Sequence, residues 1–345
     1  MSPRPGTGYT VKAGDYRASS GRDAGDRQLL SLLVEIDLDN AGGLCTVEFA
    51  AAEGAPVEAG APVSISLDVG DGAVEVFTGE AGQVRIGAAN ERIDAWDALA
   101  TLARTRVASF YDSVSADFVI KDLLQKAGAQ AGDVAPGPDL AQYAVHAGPS
   151  VLAHLQKLAG LCGAALYCDG GGKVQVPGPD TRGASHRFQY GETVIALALQ
   201  PATPAYDSVE VWGEGAASAK GADKAHWLST DLAGVQGKAA LGAGGATSGK
   251  LGQTPLQLLD GALRSGDAAQ AAADYRTKAL AERTVRGHLD VFATPAVRPG
   301  DTVTLDKLPA NHPAARLLAS GATLKVRRVR HTLDRARGLI TRIGF

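Results

Sequence analysis

The stretch Gly244-Gly245-Ala246-Thr247-Ser248-Gly249-Lys250 has the G-x-x-x-x-G-K spacing of loops that cradle phosphates. Leu251 stands where such a loop needs a Ser or Thr for magnesium, and Gly252 and Pro255 oppose the helix whose N-terminus would hold the anion. The segment therefore reads as a loop without nucleotide chemistry. His154, Cys162 and Cys168 could be taken for a metal cluster, yet no C-x-x-C pair exists. With Cys45, these cysteines fall on apolar-periodic positions and read as small core residues. Asp207 and Glu210 lie on opposite faces of a predicted strand, so they cannot converge as an acid/base pair. No G-x-S-x-G, H-E-x-x-H or dinucleotide fingerprint occurs. Trp212 and His226-Trp227 fit a core or domain interface better than a sugar platform. Arg327, Arg328, Arg330, Arg335, Arg337 and Arg342 make the last predicted hairpin basic. Two readings stand for them: a solvated, edge-protecting strand, or a surface for an acidic partner. The expectation is a protein with no catalytic residue, no cofactor and no metal.

Composition narrows the classes further. Lys plus Arg number 34 against 37 Asp plus Glu, giving a net charge of −3, so no broad field draws the chain to nucleic acid or anionic lipid. No apolar run reaches membrane-spanning length and the N-terminus lacks a signal-peptide core. Synthesis in the cytoplasm is expected, with retention there or exit by a route other than a cleaved signal.

The elements that must carry these residues fall into three blocks. Residues 1–26 are polar and Gly-rich and read as an extended arm. Val34, Ile36 and Leu38, then Cys45, Val47 and Phe49, then Val63, Ile65, Leu67 and Val69 alternate with polar residues, and Val74, Val76, Val84 and Ile86 continue the pattern. Many short strands with tight turns predict an antiparallel barrel. From Tyr111 the period changes. Val119, Ile120, Leu123, Leu124 and Ala127 stripe one helix, with Ser113 or Ser115 as its cap and Gly128 at its left-handed end. A loop follows. Val151, Leu152, Leu155, Leu158, Ala159 and Cys162 stripe a second helix, with Pro149 in its first turn. Ala164–Cys168 and Lys173–Val176 flank Asp169-Gly170-Gly171-Gly172 as a hairpin. Period two returns at Val209. Residues 215–253 read as a long loop, Asp267 caps an alanine-rich helix running to about Val285, and strands follow through Leu289, Val291, Val303, Leu305 and a closing hairpin around 334–338. One echo crosses the chain: Val57-Glu58-Ala59-Gly60-Ala61-Pro62-Val63-Ser64-Ile65 and Val297-Arg298-Pro299-Gly300-Asp301-Thr302-Val303-Thr304-Leu305 share V-x-x-G-x-x-V-x-[IL]. Two copies would fit two similar barrels.

The order of four segments carries a resemblance. These are Phe110–Gly128 (F-Y-x-S-V-S-x-x-F-V-I-x-D-L-L-x-x-A-G), Ser150–Gly163 (S-V-L-x-x-L-x-x-L-A-x-L-x-G), Val297–Leu305, and Val326–Ile343 (V-R-R-V-R-H-T-L-D-x-x-x-G-L-I-T-R-I). Over about residues 30–345 the chain resembles the phage late control D family, the tail hub proteins of contractile phages, whose architecture also opens type VI secretion spike proteins. The resemblance implies a mainly β fold with α+β insertions, two tube-like antiparallel β-barrels flanking a helix–helix–hairpin module. It places the first barrel and arm at 1–108, the module at 109–185, and the second barrel at 186–345, interrupted by a loop and helix insertion at about 215–285. It implies a homotrimeric, non-enzymatic baseplate hub of a phage tail or phage-like contractile injection particle. Such a hub adapts a hexameric inner tube protein to a trimeric spike, with tape-measure or other baseplate proteins as further partners. Family members with a fused spike continue past the last hairpin. A separate spike polypeptide is therefore expected, docked on Leu339, Ile343 and Phe345. The competing class is a baseplate-associated peptidoglycan hydrolase, which the missing catalytic constellation disfavours.

Overall fold

A computed structural model describes residues 8–21, 23–40, 42–52, 54–202, 205–214, 235–241, 254–283, 285–318 and 322–345. The chain opens with seven strands: β1 (Gly8–Ala13), β2 (Tyr16–Ser19), β3 (Leu29–Asp37), β4 (Leu44–Ala50), β5 (Pro62–Asp68), β6 (Ala73–Ile86) and β7 (Asn90–Trp96). Residues 8–19 are not an arm. Val11, Ala13 and Ala18 are fully buried, and β1 lies antiparallel along β5 over Gly8–Ala13. The alternation there is short and contains glycine, which hid it from a composition-based reading.

The central module follows, with α1 (Ala98–Arg104), β8 (Ser109–Ser115), α2 (Ala116–Lys126), β9 (Ala131–Val134), β10 (Asp139–Val145), α3 (Val151–Leu161), β11 (Tyr167–Cys168) and β12 (Val174–Val176). The α2 stripe Val119, Ile120, Leu123 and Leu124 is fully buried, and Gly128 takes φ +75° as its end requires. Ser115 occupies the N-cap position of α2 without a side-chain cap bond. Ser150, not Pro149, begins α3: its hydroxyl accepts from Ala153 N–H, so Pro149 lies before the helix. The predicted loop between the helices holds β9 and β10, which find partners far away in sequence. β10 pairs with β8, and β9 runs parallel to β12.

Then come β13 (Ser185–Gln189), β14 (Val194–Pro201), β15 (Ser208–Trp212), β16 (Gln236–Ala240), β17 (Pro255–Leu259), α4 (Gly266–Ala281), β18 (Val285–Phe292), β19 (Thr302–Asp306), β20 (Leu324–Lys325), β21 (Arg328–Asp334) and β22 (Gly338–Gly344). The loop expectation for 215–253 fails at β16, which pairs with β15 and receives α4 at Gly237. A Cβ at Gly237 would strike the Ala269 carbonyl, so glycine there lets helix and strand approach closely. The other residues of that segment, including the 244–250 motif and His226-Trp227, lie outside the described residues. Ser265, not Asp267, caps α4 by accepting from Ala268 N–H; Asp267 sits in the first turn. The apolar residues of β15 and α4 share one core with α2 and α3.

A curled eleven-stranded antiparallel sheet dominates the fold, ordered β14-β18-β22-β21-β3-β4-β7-β6-β5-β1-β2. It carries two cores. One gathers Val34, Val47, Phe49, Ile65 and Ile93; the other gathers Leu289, Val291, Val303, Val329 and Ile343. The two halves repeat one plan. β3-β4-β7-β6-β5 matches β14-β18-β22-β21, followed through β20 by β19 in a neighbouring sheet; the next strand differs in direction, β1 antiparallel to β5 and β13 parallel to β19. The sequence echo marks the same turn in both. Gly60 and Gly300 take φ +87° and +92°. Gly60 N–H donates to Ala81 O and Ala81 N–H returns to Ala61 O; Gly300 N–H donates to Val326 O and Val326 N–H returns to Asp301 O. The left-handed conformation explains the glycine at both places.

Candidate assembly interface

The halves meet where β3 pairs with β21, with Val329 opposite Ile36, Arg330 opposite Glu35 and His331 opposite Val34. Alternation sends Val329, His331, Ile36 and Val34 inward, while Arg328, Arg330, Glu35 and Asp37 line the other face. Arg330 pairs with Glu35, Arg328 with Asp37, and Arg327 reaches Asp39 at 2.6 Å, where Arg283 joins at 3.1 Å. The Arg327 guanidinium beside Asp39 holds its carboxyl below the usual carboxylate range. Arg342 similarly binds Asp290 at 2.6 Å and holds that carboxyl down. The acidic surface met by most of the basic hairpin thus belongs to this chain's own strands. Cross-strand ion pairs of this exposure fix register more than they add stability.

Inside the seam, His331 is buried beside Thr341. Thr341 Oγ1 accepts from Thr294 N–H at 3.1 Å and lies 3.0 Å from His331 Nδ1. Burial disfavours the charged imidazolium and pushes His331 down to about 4. In the first half Asp97 is buried as well; it caps α1 through Leu99 N–H and accepts Gly43 N–H at 2.5 Å. Burial pushes its carboxyl up to about 6.

The three residues expected to form one docking surface do not come together. Leu339 is buried in the first core and Ile343 in the second, because both stand on the inward face of β22. Their expected role as docking contacts is corrected to a role in the sheet's cores. Phe345 keeps partial exposure, donates its N–H to Gly287 O, and lines a 310 Å³ cavity with Arg283, Arg286 and Arg327. The residues first considered for chemistry are also dispersed. His154 on α3 lies 3.1 Å from Tyr143 Oη and 3.3 Å from His146 O. Cys162 closes α3 in the core, where burial pushes its thiol up to about 12. Glu210 on β15 pairs with Lys238 at 2.5 Å, and Asp207 accepts Thr254 N–H. Trp212 stands on β15 opposite Gln236.

Sequence reasoning missed the open sheet edges. β14 ends the eleven-stranded sheet, and β6 beyond Ala81 pairs only with β7 among the described residues. Both edges expose apolar side chains, Ile195 at 44% and Ile86 at 70%. Leu44 and Trp96 stand opposite each other on β4 and β7, also exposed. Period-two alternation places a residue on a face but is silent on which strand lacks a neighbour, so no sequence signal marked these edges.

No family model and no curated protein matches the chain. Solved structures do match it. It aligns with the 43 kDa tail protein of prophage MuSo2 from Shewanella oneidensis at 13% identity and TM-score 0.67, covering 98% of both chains. It aligns with a tail protein from Neisseria meningitidis MC58 at 14% identity and TM-score 0.69, covering 98% of this chain and 96% of that one. A third match, at 11% identity and TM-score 0.55, covers 97% of this chain and 75% of an E. coli type VI secretion component that is itself similar to bacteriophage T4 tail proteins. The chain shares its mainly β fold with these proteins, end to end for the two tail proteins.

Proposed function

We propose that the chain is a structural hub of a phage tail or phage-like contractile injection particle. In this reading three copies form a ring, each presenting two similar sheet halves, so six halves face a sixfold tube while the threefold axis faces a trimeric spike. The observation that carries it is the internal repeat. Strand order, the left-handed glycine and the turn's hydrogen bonds recur in both halves, and the halves are fused into one sheet. The shared tail-protein fold supports it. The chain acts by position rather than by chemistry, so incubation with purified peptidoglycan should leave turbidity unchanged. Among the described residues no helix is long and apolar enough to cross a membrane.

Multi-angle light scattering of the chain, alone and with tube and spike proteins co-expressed, tests the reading. A mass of three chains is expected. A stable dimer or a hexamer of this chain in the complex would count decisively against it.

A further inference from the structure

The internal repeat predicts what should cover the open edges. The register matches strand for strand. Val84 and Val329 lie opposite Ile93 and Ile343, those lie opposite Val47 and Leu289, and those in turn lie opposite Leu32 and Leu197. Residues 81–86 of β6 therefore occupy the place of 326–331, and β14 occupies the place of β3. In the first of these pairs of places the seam exists within one chain, where β21 carries β3. The second pair, β6 and β14, sits at opposite ends of the repeat and forms no seam among the described residues.

We propose that the free edge of β14 pairs antiparallel with the free edge of β6 from a second copy of this chain. Transferring the register of the seam sets Val84 opposite Pro201, Arg85 opposite Gln200 and Ile86 opposite Leu199. The composition of β14 points the same way. Val194-Ile195-Ala196-Leu197-Ala198-Leu199-Gln200-Pro201 carries no charge over eight residues. An uncharged apolar edge strand left open templates uncontrolled pairing, and sheets ordinarily protect such an edge or cover it. Each copy offers one β6 edge and one β14 edge, so the contact is head to tail and propagates into a ring or a filament. The edge pairing stands on the repeat; closure after three copies rests on the hub reading above.

The full-length chain carrying both Arg85→Cys and Gln200→Cys tests the pairing under oxidised glutathione. Directly opposed antiparallel residues lie about 4.5–5.5 Å apart between Cα atoms, inside the range a disulfide spans. The native Cys45, Cys162 and Cys168 are buried and do not compete. Non-reducing denaturing gels should show covalent dimer and trimer, with trimer the final species, while each single variant runs as monomer. The pair Glu35→Cys with Arg330→Cys should close within one chain and leave its mass unchanged, which calibrates the seam geometry. Absence of covalent oligomers in the double variant overturns the edge pairing, whether scattering then reports a trimer or a monomer; a trimer would leave the hub reading intact. Covalent species extending past three copies would support the edge pairing and sink the threefold hub.

Discussion

The turns after Val57 and Val297 share their glycine and their hydrogen bonds, yet the strands beside them are held differently. In the first half β1 lies antiparallel on β5 over six residue pairs, and the position after the glycine is Ala61. In the second half β13 arrives from beyond the central module and runs parallel to β19 over five pairs. The position after the glycine is Asp301, which is buried. Its Oδ1 accepts Ala184 N–H at 2.8 Å; its Oδ2 accepts Arg298 N–H at 2.8 Å and stands 2.8 Å from His186 Nε2. Parallel ladders are slightly weaker per residue. The difference teaches that the repeated turn tolerates either partner direction, but the parallel arrival is anchored by a side chain.

The largest effect should come from removing that anchor. Asp301→Ala leaves Ala184 N–H, Arg298 N–H and His186 without their acceptor. The three donors are only part-buried, so water takes up some of what they lose; three hydrogen bonds at about 1 kcal/mol each give an expected loss of about 3 kcal/mol in urea unfolding. A loss below about 1 kcal/mol would show that β13 is held by its ladder alone, as β1 is.

The second test uses His331 and its counterpart Ile86. A neutral imidazole held down to about 4, against an ordinary value of about 6.5, contributes stability that is full above pH 6.5 and lost as pH falls toward 4. The shift corresponds to about 3 kcal/mol across that window. Asp97 acts in the opposite sense: its carboxyl, pushed up to about 6, favours the folded state more as pH falls. Comparing the wild type with His331→Leu isolates the histidine. Unfolding midpoints of the variant should fall less between pH 6.5 and 4 than those of the wild type. Parallel pH profiles would mean that His331 is not the residue that titrates.

Much of this was legible in the sequence, and the reason is local. Val34, Ile36, Cys45, Val47 and Phe49 alternate with polar residues, so their strands and buried face follow from period two. Val119 to Leu124 and Val151 to Ala159 fix their helices by 3.6-residue spacing. The echo with its glycines placed two turns that the structure shows to be the same. What was not legible depends on distant partners. β9 and β10 are short strands whose ladders form with β12 and β8. β16 is a five-residue strand, Gln236–Ala240, inside a low-complexity segment, ordered by α4 packing on Gly237. The basic hairpin was visible as charge, but its acidic partner lies nearly three hundred residues upstream in β3. Leu339 and Ile343 were correctly read as apolar, and their inward direction removes them from any docking surface.

The smallest effect should come from the ion pairs of the seam, and it sharpens the comparison between the joined edges and the open ones. Arg330 is about two-fifths exposed and Glu35 about one-fifth, so water and salt screen their attraction. A double-mutant cycle of Glu35→Gln and Arg330→Gln should give a coupling of about 0.5–1 kcal/mol that shrinks with added salt. Coupling above about 2 kcal/mol would mean that charge, rather than the β3–β21 backbone ladder and the cores beneath it, joins the halves. That outcome would weaken the analogy with β6 and β14, whose matching position offers Arg85 and an uncharged Gln200. A small coupling keeps the analogy intact, because a ladder joined mainly by backbone and apolar contact can form at either edge.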